Sequence, residues 1–304
     1  MRVPIAYLAV VLIWSTTPLG IVWSSETVEP TMAVLLRMLI AWLIGWGIII
    51  VCRIHLPWHK EALKLYSFSA IGIFGGMSLS YAAASYISSG LMSLIFGLSP
   101  ILSGVLAQKL LAEDRFNHIK KLALVAALIG LVIVCYDKMT LKADAYIGII
   151  FVLIAVFFFS LSGVMVKTIN IKINPVATTV GALTFSTPLF LVMWLLLDGT
   201  LDYQQWSIRS VSAIIYLGLF GSLIGFISYF YVLQKLSAST VALVTMITPV
   251  LAITLGALLN DEVITDNLIV GAGFVVFGLT CYQWSSKVEY VVRYRFKKVN
   301  DTQT

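Results

Sequence analysis

The residues that could perform catalysis or bind a metal are scarce in this sequence and lie away from its apolar stretches. The three histidines, His55, His59 and His118, fall in polar connections, and no Asp or Glu lies deep inside an apolar stretch. General acid–base catalysis needs titratable groups gathered in one pocket, and a transition-metal site needs several nitrogen, sulfur or carboxylate ligands close together. The sequence therefore predicts no catalytic centre, no metal site and no cofactor.

The cysteines and the net charge add no further chemistry. Cys52, Cys135 and Cys281 lack the spacing of a metal or redox motif, and an odd number cannot pair fully within one chain. The net charge of +6 would suit a nucleic-acid partner, but the basic residues lie in short loops instead of on one face of a folded domain. We therefore expect the cysteines to be small apolar packing residues or free thiols, and we expect no nucleic-acid partner.

Arg37 is the one charged residue within the body of an apolar stretch, roughly 9 Å below the outer end of its helix. An isolated arginine at the centre of a membrane helix costs about 2.5–3.5 kcal/mol on insertion scales, so it needs water, carbonyl groups or a partner. One interpretation is a contact for a carboxylate or phosphate on a solute. The other is a structural role, with the side chain reaching headgroups or helix carbonyls.

Two prolines mark further candidate solute contacts. Pro100 and Pro249 fall near the middle of apolar stretches, where a proline removes one backbone hydrogen bond and frees a carbonyl that can bind solute. Hydroxyl and aromatic residues near them or in neighbouring stretches complete the predicted substrate-binding set. Together with Arg37, these are Trp14, Ser15, Thr17, Tyr81, Ser99, Tyr229, Thr245 and Thr248. Packing kinks, hydroxyls bonded back to the helix and interfacial aromatic residues are the alternatives.

Membrane-spanning helices must position these residues. The chain is 60% hydrophobic and 11% charged, with a mean hydropathy of +0.98, which suits lipid better than water. Charge-poor stretches of about 20 residues, each long enough to cross a ~30 Å hydrocarbon core, recur along the chain. They predict an all-α integral membrane protein with ten helices, at 3–23, 31–51, 65–86, 90–111, 120–136, 145–166, 175–197, 210–233, 238–259 and 267–285. The first shows no cleavage pattern after it, so we expect it to remain as a helix.

The basic residues are distributed unequally between the two sets of loops. If the amino terminus is cytoplasmic, the outer loops carry only Lys138, Lys142 and Arg209 among the Lys and Arg residues. The positive-inside rule then places both termini in the cytoplasm. The basic tail, 287–304, could hold anionic membrane lipids, although an ordinary stop-transfer anchor also explains it.

The two halves of the chain repeat the same unusual residues. A shift of 149 positions superposes Gly72 on Gly221, Gly76 on Gly225, Pro100 on Pro249 and Glu113 on Glu262, and a shift of 145 superposes Trp14-Ser15 on Phe159-Ser160. Because each half has an odd number of helices, the second copy enters the membrane from the opposite side. The sequence predicts two inverted five-helix repeats, 1–139 and 140–286, with a binding site near their interface.

Gate or hinge roles follow for the repeated positions, because two similar halves of opposite orientation can exchange conformations. The residues assigned to this role are Pro100, Pro249, Glu113, Glu262, Gly76 and Gly225. Close helix packing is the alternative for the glycines, and a helix cap or hinge contact is the alternative for the glutamates.

The repeated motifs resemble those of the ten-helix EamA-type transporters of the drug/metabolite transporter superfamily, over essentially the full chain. The resemblance is carried by Trp14-Ser15, by Arg37 to Ala41, and by the segments Pro100 to Glu113 and Pro249 to Glu262. Met38 departs from it, since an aromatic residue is common there. The resemblance implies a bacterial inner-membrane transporter of amino acids, other metabolites, nucleosides or amphipathic drugs, with export common. We expect a monomer or a homodimer.

The predicted function is alternating-access transport of a small polar metabolite, such as an amino acid, by export or exchange. The cavity is expected between the repeats, lined chiefly by the first, third, fourth, sixth, eighth and ninth helices. Proton-coupled carriers usually use a membrane-embedded acid or histidine, and its absence here favours facilitated diffusion or exchange. The alternatives are a flippase for a lipid-linked substrate, with a cavity that opens sideways to the bilayer, and a receptor or assembly subunit that does not transport.

Overall fold

A computed structural model describes residues 2–111, 116–141, 144–236, 241 and 244–301. All regular secondary structure within these residues is helical. The helices are α1 (Val3–Ser24), α2 (Pro30–Val51), α3 (Lys60–Ala83), α4 (Ser89–Leu110), α5 (His118–Leu141), α6 (Ala145–Lys167), α7 (Pro175–Leu197), α8 (Ile208–Lys235), α9 (Val244–Asn260) and α10 (Asp266–Asp301). In this part of the chain, eight helices are long and apolar enough to cross a membrane, and α9 and α10 supply two shorter apolar helices. The all-α membrane fold with ten helices is confirmed.

The helix ends differ from the predicted spans mainly where polar residues lie. α3 begins at Lys60 instead of at residue 65, because the polar turn before the apolar stretch is already helical. α10 continues to Asp301, so the helix runs on into the predicted basic tail. Hydropathy detects the part of a helix inside the hydrocarbon and misses the turns beyond it. The first part of the predicted ninth span, 238–240 and 242–243, lies outside the described residues.

Local sequence fixes where several helices begin. Pro30 and Pro175 occupy the first turns of α2 and α7, where the missing N–H of proline costs no helix hydrogen bond. Ser88 and Ser207 cap α4 and α8: each side-chain Oγ accepts a hydrogen bond from a first-turn amide, of Leu91 at 3.4 Å and of Ser210 at 3.1 Å. Proline therefore favours the starts of α2 and α7, and a serine cap favours those of α4 and α8.

The repeats pack against each other through the middle of the bundle. Equivalent helices pair, α2 with α7, α4 with α9 and α5 with α10, while α1 packs on α8 and α9, and α6 packs on α3 and α4. The basic residues Arg53, Lys60, Lys167 and Lys172 lie at or just beyond the helix ends on the side where α1 begins. We call this side the basic end and the opposite side the distal end.

α3 and α8 each contain a π-helical turn at the repeat-equivalent place, over Gly72–Gly76 and Leu217–Ile224. The glycines also permit very close helix contacts. A Cβ atom on Gly72 would lie 2.6 Å from the Cβ of Ser162 on α6, and one on Gly221 would lie 3.0 Å from an Nη atom of Arg37 on α2. π-Helical turns are rare in proteins, and those that occur are often at functional sites. These segments are therefore candidates for a functional role in addition to the small-residue packing that the sequence suggests.

The two repeated prolines act differently. α4 is divided into Ser89–Phe96 and Ser99–Leu110, with Pro100 in the first turn of the second part, whereas Pro249 lies inside a continuous α9. The break follows from Gly97, because glycine and proline together lower helix propensity, and α9 has a methionine at the position equivalent to Gly97. Of the two prolines predicted to disturb the middle of a helix, only Pro100, in the first repeat, therefore lies at a helix break.

Replacing Gly271 by alanine is expected to destabilise the α5–α10 pair. A Cβ atom there would lie 2.6 Å from the carbonyl oxygen of Gly130 and in contact with Val134, so overpacking should cost about 1–3 kcal/mol. Gly273→Ala is the matched control on the same helix, because nothing lies within 4 Å of a Cβ atom at that position. Thermal unfolding in detergent should show a lower Tm for Gly271→Ala only. Equal Tm values for the two variants would contradict this packing.

Candidate functional site

A cavity of about 580 Å³ lies between the two repeats. This volume falls within the range of about 300–1,000 Å³ that is typical of small-molecule sites. Its described lining comes from the six helices expected from the sequence, joined by Phe116 and Lys120 near the start of α5 and by Tyr282 of α10. The cavity therefore lies at the repeat interface, where an inverted repeat is expected to hold its ligand.

The cavity extends from the basic end almost to the distal end. Leu111, Lys167 and Leu233 line it where α4, α6 and α8 end on the basic side. Ile21 and Ser80 line it about one helical turn from the distal ends of α1 and α3. The cavity thus spans most of the depth of the helix bundle.

Glu262 closes the distal end by joining the two repeats. Its Oε1 accepts a hydrogen bond from the backbone N–H of Ser89 at 2.9 Å, and its Oε2 accepts one from Gly90 at 3.1 Å. Both amides belong to the first turn of α4, where the helix dipole also favours a carboxylate. Asp261 adopts a left-handed conformation, φ 49°, and the N–H of Glu262 donates to the carbonyl of Gly256 at 3.2 Å. This turn at the end of α9 aims the Glu262 carboxylate at α4.

A second group of contacts extends the distal seal to α1 and α8. The indole N–H of Trp23 donates to the Oδ1 of Asn260 at 2.8 Å, and Arg209 donates to the same oxygen at 3.0 Å. The Arg209 guanidinium also lies over the Trp23 ring, 4.5 Å from its centroid, and pairs with Glu26 at 3.5 Å. The seal therefore connects the first repeat, through Trp23 and Glu26, with the second, through Arg209 and Asn260.

Aromatic rings and hydroxyl groups form much of the cavity wall. The Trp14 and Tyr229 rings lie 5.2 Å apart between centroids, and the Phe96 and Phe159 rings lie 5.6 Å apart. Hydroxyl groups also line the wall, at Thr17, Ser69, Ser80, Ser93, Ser99, Ser103, Ser160, Ser162, Thr245 and Thr248. No Asp or Glu is among the described lining residues. The wall can therefore offer hydrogen bonds and ring faces to a solute.

The structure brings many of the predicted solute contacts into this cavity. The lining includes Trp14, Thr17, Ser99, Tyr229, Thr245 and Thr248, and also Pro100 from the predicted hinge set. Ser15 faces its own helix, since its Oγ donates to the carbonyl of Val11 at 2.6 Å. Gly76, Gly225 and Pro249 lie outside the lining and contact neighbouring helices, and Glu113 lies outside the described residues.

Arg37 is fully buried and is not among the described lining residues of the cavity. Its Nε donates a hydrogen bond to the Oγ of Ser222, in the π-helical turn of α8, at 2.7 Å. Its Cζ lies 5.9 Å from the ring centroid of Tyr81, which is also fully buried. Both Nη atoms and the Tyr81 hydroxyl lack hydrogen-bond partners among the described residues. Arg37 thus joins α2 of the first repeat to α8 of the second.

Some lining residues were not singled out as solute contacts in the sequence, chiefly Phe159, Ser160, Ser103, Lys120 and Lys167. Phe159-Ser160 is the repeat partner of Trp14-Ser15, so the internal symmetry contained the signal that Phe159 and Ser160 belong with Trp14. Ser160 donates to the carbonyl of Ser99 at 3.3 Å, next to the break in α4. Lys120 and Lys167 carry no such signal, because basic residues at helix ends are common in membrane proteins.

The chain matches the model of the EamA-like transporter family twice, over residues 2–136 and 146–282. It is 25% identical to an uncharacterized transporter of Archaeoglobus fulgidus, over 88% of this chain and 94% of that one. It is 26% identical to the uncharacterized transporter YoaV of Bacillus subtilis, over 92% of this chain and 96% of the relative, and 26% identical to the protein PagO of Salmonella typhimurium, over 84% of each.

A solved crystal structure shares the fold. It aligns with a TM-score of 0.64 and 17% sequence identity, covering 92% of this chain and 96% of the solved chain. At this identity the likeness supports the arrangement of the helices and nothing about the solute. The matches extend along the whole bundle, including the helices that line the cavity.

Proposed function

Because the chain belongs to the EamA-like transporter family and is a membrane transporter, we propose that it moves a small polar metabolite, an amino acid or a solute of similar size, by alternating access through the central cavity. The observation that carries this proposal is the asymmetry of the cavity among the described residues: its lining reaches the helix ends on the basic side, whereas contacts between the repeats seal the distal end. Such a shape is one of the two states that an alternating-access carrier needs.

The repeat symmetry predicts the second conformation of the carrier, in which the basic end is closed and the distal end is open. At the distal end, α4 and α9 are in contact: a Cβ atom on Gly90 would lie 3.0 Å from the Cγ1 of Ile253. On the 149-residue shift, Ile253 and Gly256 of α9 correspond to Gly104 and Ala107 of α4, and both of these line the cavity. If the repeats exchange conformations, the Gly104–Ala107 face closes against α9 and the Glu262 contact opens.

The lining residues and the distribution of basic residues suggest the energy coupling of transport and the orientation of the protein in the membrane. The described lining has no Asp or Glu to bind a coupling proton, which favours facilitated diffusion or exchange. We place the protein in the bacterial inner membrane as a monomer or homodimer, with repeats 1–139 and 140–286 and the basic end in the cytoplasm. A cavity that is entered from the basic end would then receive its solute from the cytoplasm, from which export would begin.

Flux into liposomes tests the proposal. The purified protein is reconstituted, a mixed panel of amino acids, nucleosides, sugar phosphates and organic cations is offered, and the entering solutes are identified by mass spectrometry. Saturable, selective entry above protein-free controls is expected. Movement of a labelled lipid without solute entry would favour a flippase, and solute binding without entry would favour a receptor.

Ala107→Trp is expected to abolish flux by filling the cavity and blocking its closure at the basic end. Ala107 is 6% exposed and lines the cavity, so a tryptophan side chain would occupy the proposed solute path. Val125→Trp is the matched control, because Val125 is 53% exposed on the outer surface of α5. Uptake assays at equal protein incorporation should show a loss of at least about tenfold for Ala107→Trp alone. Normal uptake by Ala107→Trp would exclude this cavity as the path.

A further inference from the structure

A second cavity, of about 730 Å³, is lined by two connections at the basic end, residues 52–59 between α2 and α3 and residues 168–174 between α6 and α7. We call it the basic pocket. Its basic side chains are those of Arg53, His55, His59 and Lys172, and the described part of its lining contains no Asp or Glu. The basic pocket therefore offers positive charge and hydrogen-bond donors to an anion.

Packing and hydrogen bonds hold the walls of the basic pocket in place. Ile54 of one connection and Ile173 of the other belong to the same small hydrophobic cluster, which also contains Tyr66 of α3. The Nε2 of Gln234 donates a hydrogen bond to the carbonyl of Ile173 at 2.7 Å, and the Tyr66 hydroxyl donates one to the carbonyl of Pro57 at 3.1 Å. Because the walls are already ordered, a ligand would lose little affinity to ordering them.

Arg53 occupies a backbone position that favours glycine. Its φ is 49°, and its N–H donates to the carbonyl of Ile50 at 3.3 Å while that of Ile54 donates to the carbonyl of Ile49 at 3.0 Å, the Schellman motif that ends α2. α7 ends with Gly199 in the same conformation, at φ 65°. A cation near the end of a helix is favourable, but that effect requires no left-handed backbone. An arginine at this position, where glycine costs less, points to a use for its side chain.

Arg53 and Lys172 have no acidic partner in the part of the chain that the structure describes. The ion pairs there involve other basic residues, His59 with Glu61 at 3.8 Å and Arg209 at the distal end. The positive-inside rule explains basic residues in such connections, but it does not require them to line one cavity. Two cations on one pocket therefore indicate an anion site, and a phosphate group accepts charge-assisted hydrogen bonds from both side chains.

The surroundings of the basic pocket favour a membrane lipid as the source of this phosphate. Ile50 and Val51, in the last turn of α2, are 69% and 81% exposed, so an apolar surface lies within one helical turn of Arg53 along the chain. Trp58, in the same connection, is 50% exposed, and tryptophan is enriched at the level of the lipid headgroups. A phospholipid can use both the cations and the apolar surface, whereas a water-soluble phosphate can use only the cations.

We propose that the basic pocket binds the phosphate of an anionic phospholipid, which Arg53 and Lys172 contact while the acyl chains lie along the end of α2. The basic pocket shares no described lining residue with the central cavity. The inference is therefore independent of the proposed transport and assigns a second site to the chain.

Lipid binding to the purified, delipidated protein in detergent tests the inference. Native mass spectrometry compares phosphatidylglycerol with phosphatidylcholine of identical acyl chains. Both lipids carry the phosphate, but the choline group adds a positive charge that would meet Arg53 and Lys172. Phosphatidylglycerol should bind at least about fivefold more tightly, because one Lys or Arg near anionic lipid contributes roughly this factor.

Variants show whether the basic pocket causes the preference. Arg53→Gly and Lys172→Gln should each weaken phosphatidylglycerol binding about fivefold, and the double variant should lose the preference. Arg53→Gly should also keep or raise the Tm, because glycine suits the end of α2. Lys172→Gln, at an exposed position, gives the same test of binding without changing a helix end.

The matched control is the double variant Lys109→Gln with Lys121→Gln. It removes the same net charge from two exposed residues, at the end of α4 and the start of α5, that do not line the basic pocket. The control should bind both lipids as the parent protein does.

Three results would overturn the inference. Equal binding of the two lipids by the parent protein would exclude selection by charge. Equal losses in the pocket and control double variants would indicate a diffuse attraction to the whole basic end. Glycerol 3-phosphate that binds as tightly as phosphatidylglycerol and displaces it would assign the pocket to a water-soluble phosphate. None of these measurements requires flux, so a failure here leaves the proposed function untouched.

Discussion

Glu262→Gln is expected to open the distal gate and to lower transport about tenfold or more. The Glu262 carboxylate accepts hydrogen bonds from the amides of Ser89 and Gly90 at the first turn of α4. A glutamine side chain keeps one acceptor but turns an NH₂ group towards the second amide, and it loses the charge that the helix dipole favours. A hydrogen bond to a charged group contributes about 1.5–3 kcal/mol, which corresponds to a population shift of roughly 10- to 150-fold.

Cysteine labelling measures this shift directly. Ser93→Cys places a thiol on the cavity wall on the distal side of the break in α4, where the native side chain is 2% exposed. The background replaces Cys52, Cys135 and Cys281, the three free cysteines. An impermeant maleimide added from the distal face should label the thiol slowly in the parent and at least about tenfold faster with Glu262→Gln.

The control is Asp266→Asn, which removes an exposed carboxylate from the same end of the bundle without touching α4. It should leave both labelling and flux unchanged. Equal labelling rates in Glu262→Gln and the parent would show that this carboxylate caps α4 without holding the gate. A similar acceleration with Asp266→Asn would indicate a general effect of surface charge instead.

The helices and their equivalence between the two repeats could be predicted, because both follow from residue patterns along the sequence. Length and hydropathy indicate the spans, and the repeated Gly, Pro and Glu positions predict which helices are equivalent. The cavity follows in part from the same repeat: Trp14, Tyr229 and Thr248 line it because the repeat interface runs along their helices. These inferences require the order of residues along each helix and little else.

Features that depend on contacts between distant segments could not be predicted in the same way. The partners of Glu262 lie at Ser89 and Gly90, more than half the chain away, and nothing in the local sequence of either segment indicates the other. The π-helical turns depend on backbone hydrogen-bond register, which the glycine spacing permits without specifying. For Arg37, hydropathy gives a depth in the membrane but not the direction in which the side chain points.

Arg37→Met is expected to leave the fold as stable as the parent or more stable, and to reduce transport about tenfold or more. The ion pairs among the described residues are His59–Glu61 and Arg209–Glu26, so the structure gives Arg37 no acidic partner in this part of the chain. A fully buried guanidinium with one neutral acceptor, Ser222, bears a large desolvation cost. Replacing a buried charge by an apolar side chain of similar volume is often neutral or stabilising.

Because the charge of Arg37 does not stabilise the conformation described here, we expect it to stabilise the other conformation of the transport cycle. Arg37 lies on α2 of the first repeat and its hydrogen bond goes to α8 of the second, so an exchange of repeat conformations changes its surroundings. Its two Nη atoms, which lack hydrogen-bond partners among the described residues, can then bond to water or to an anionic group in the opened distal half. The arginine would thereby favour the second state and keep the two states close in energy.

The test compares Tm with flux for Arg37→Met, with Lys235→Met as the charge control, because Lys235 is exposed at the end of α8. Ser222→Ala should instead lower the free energy of unfolding by about 1–3 kcal/mol, since it removes the one hydrogen-bond acceptor that the described residues give the guanidinium. If Arg37→Met loses Tm and flux together, the arginine is a structural strut between α2 and α8. If it keeps both, the arginine has no part in the transport cycle. Only a retained Tm with lost flux supports a role in exchanging the two states.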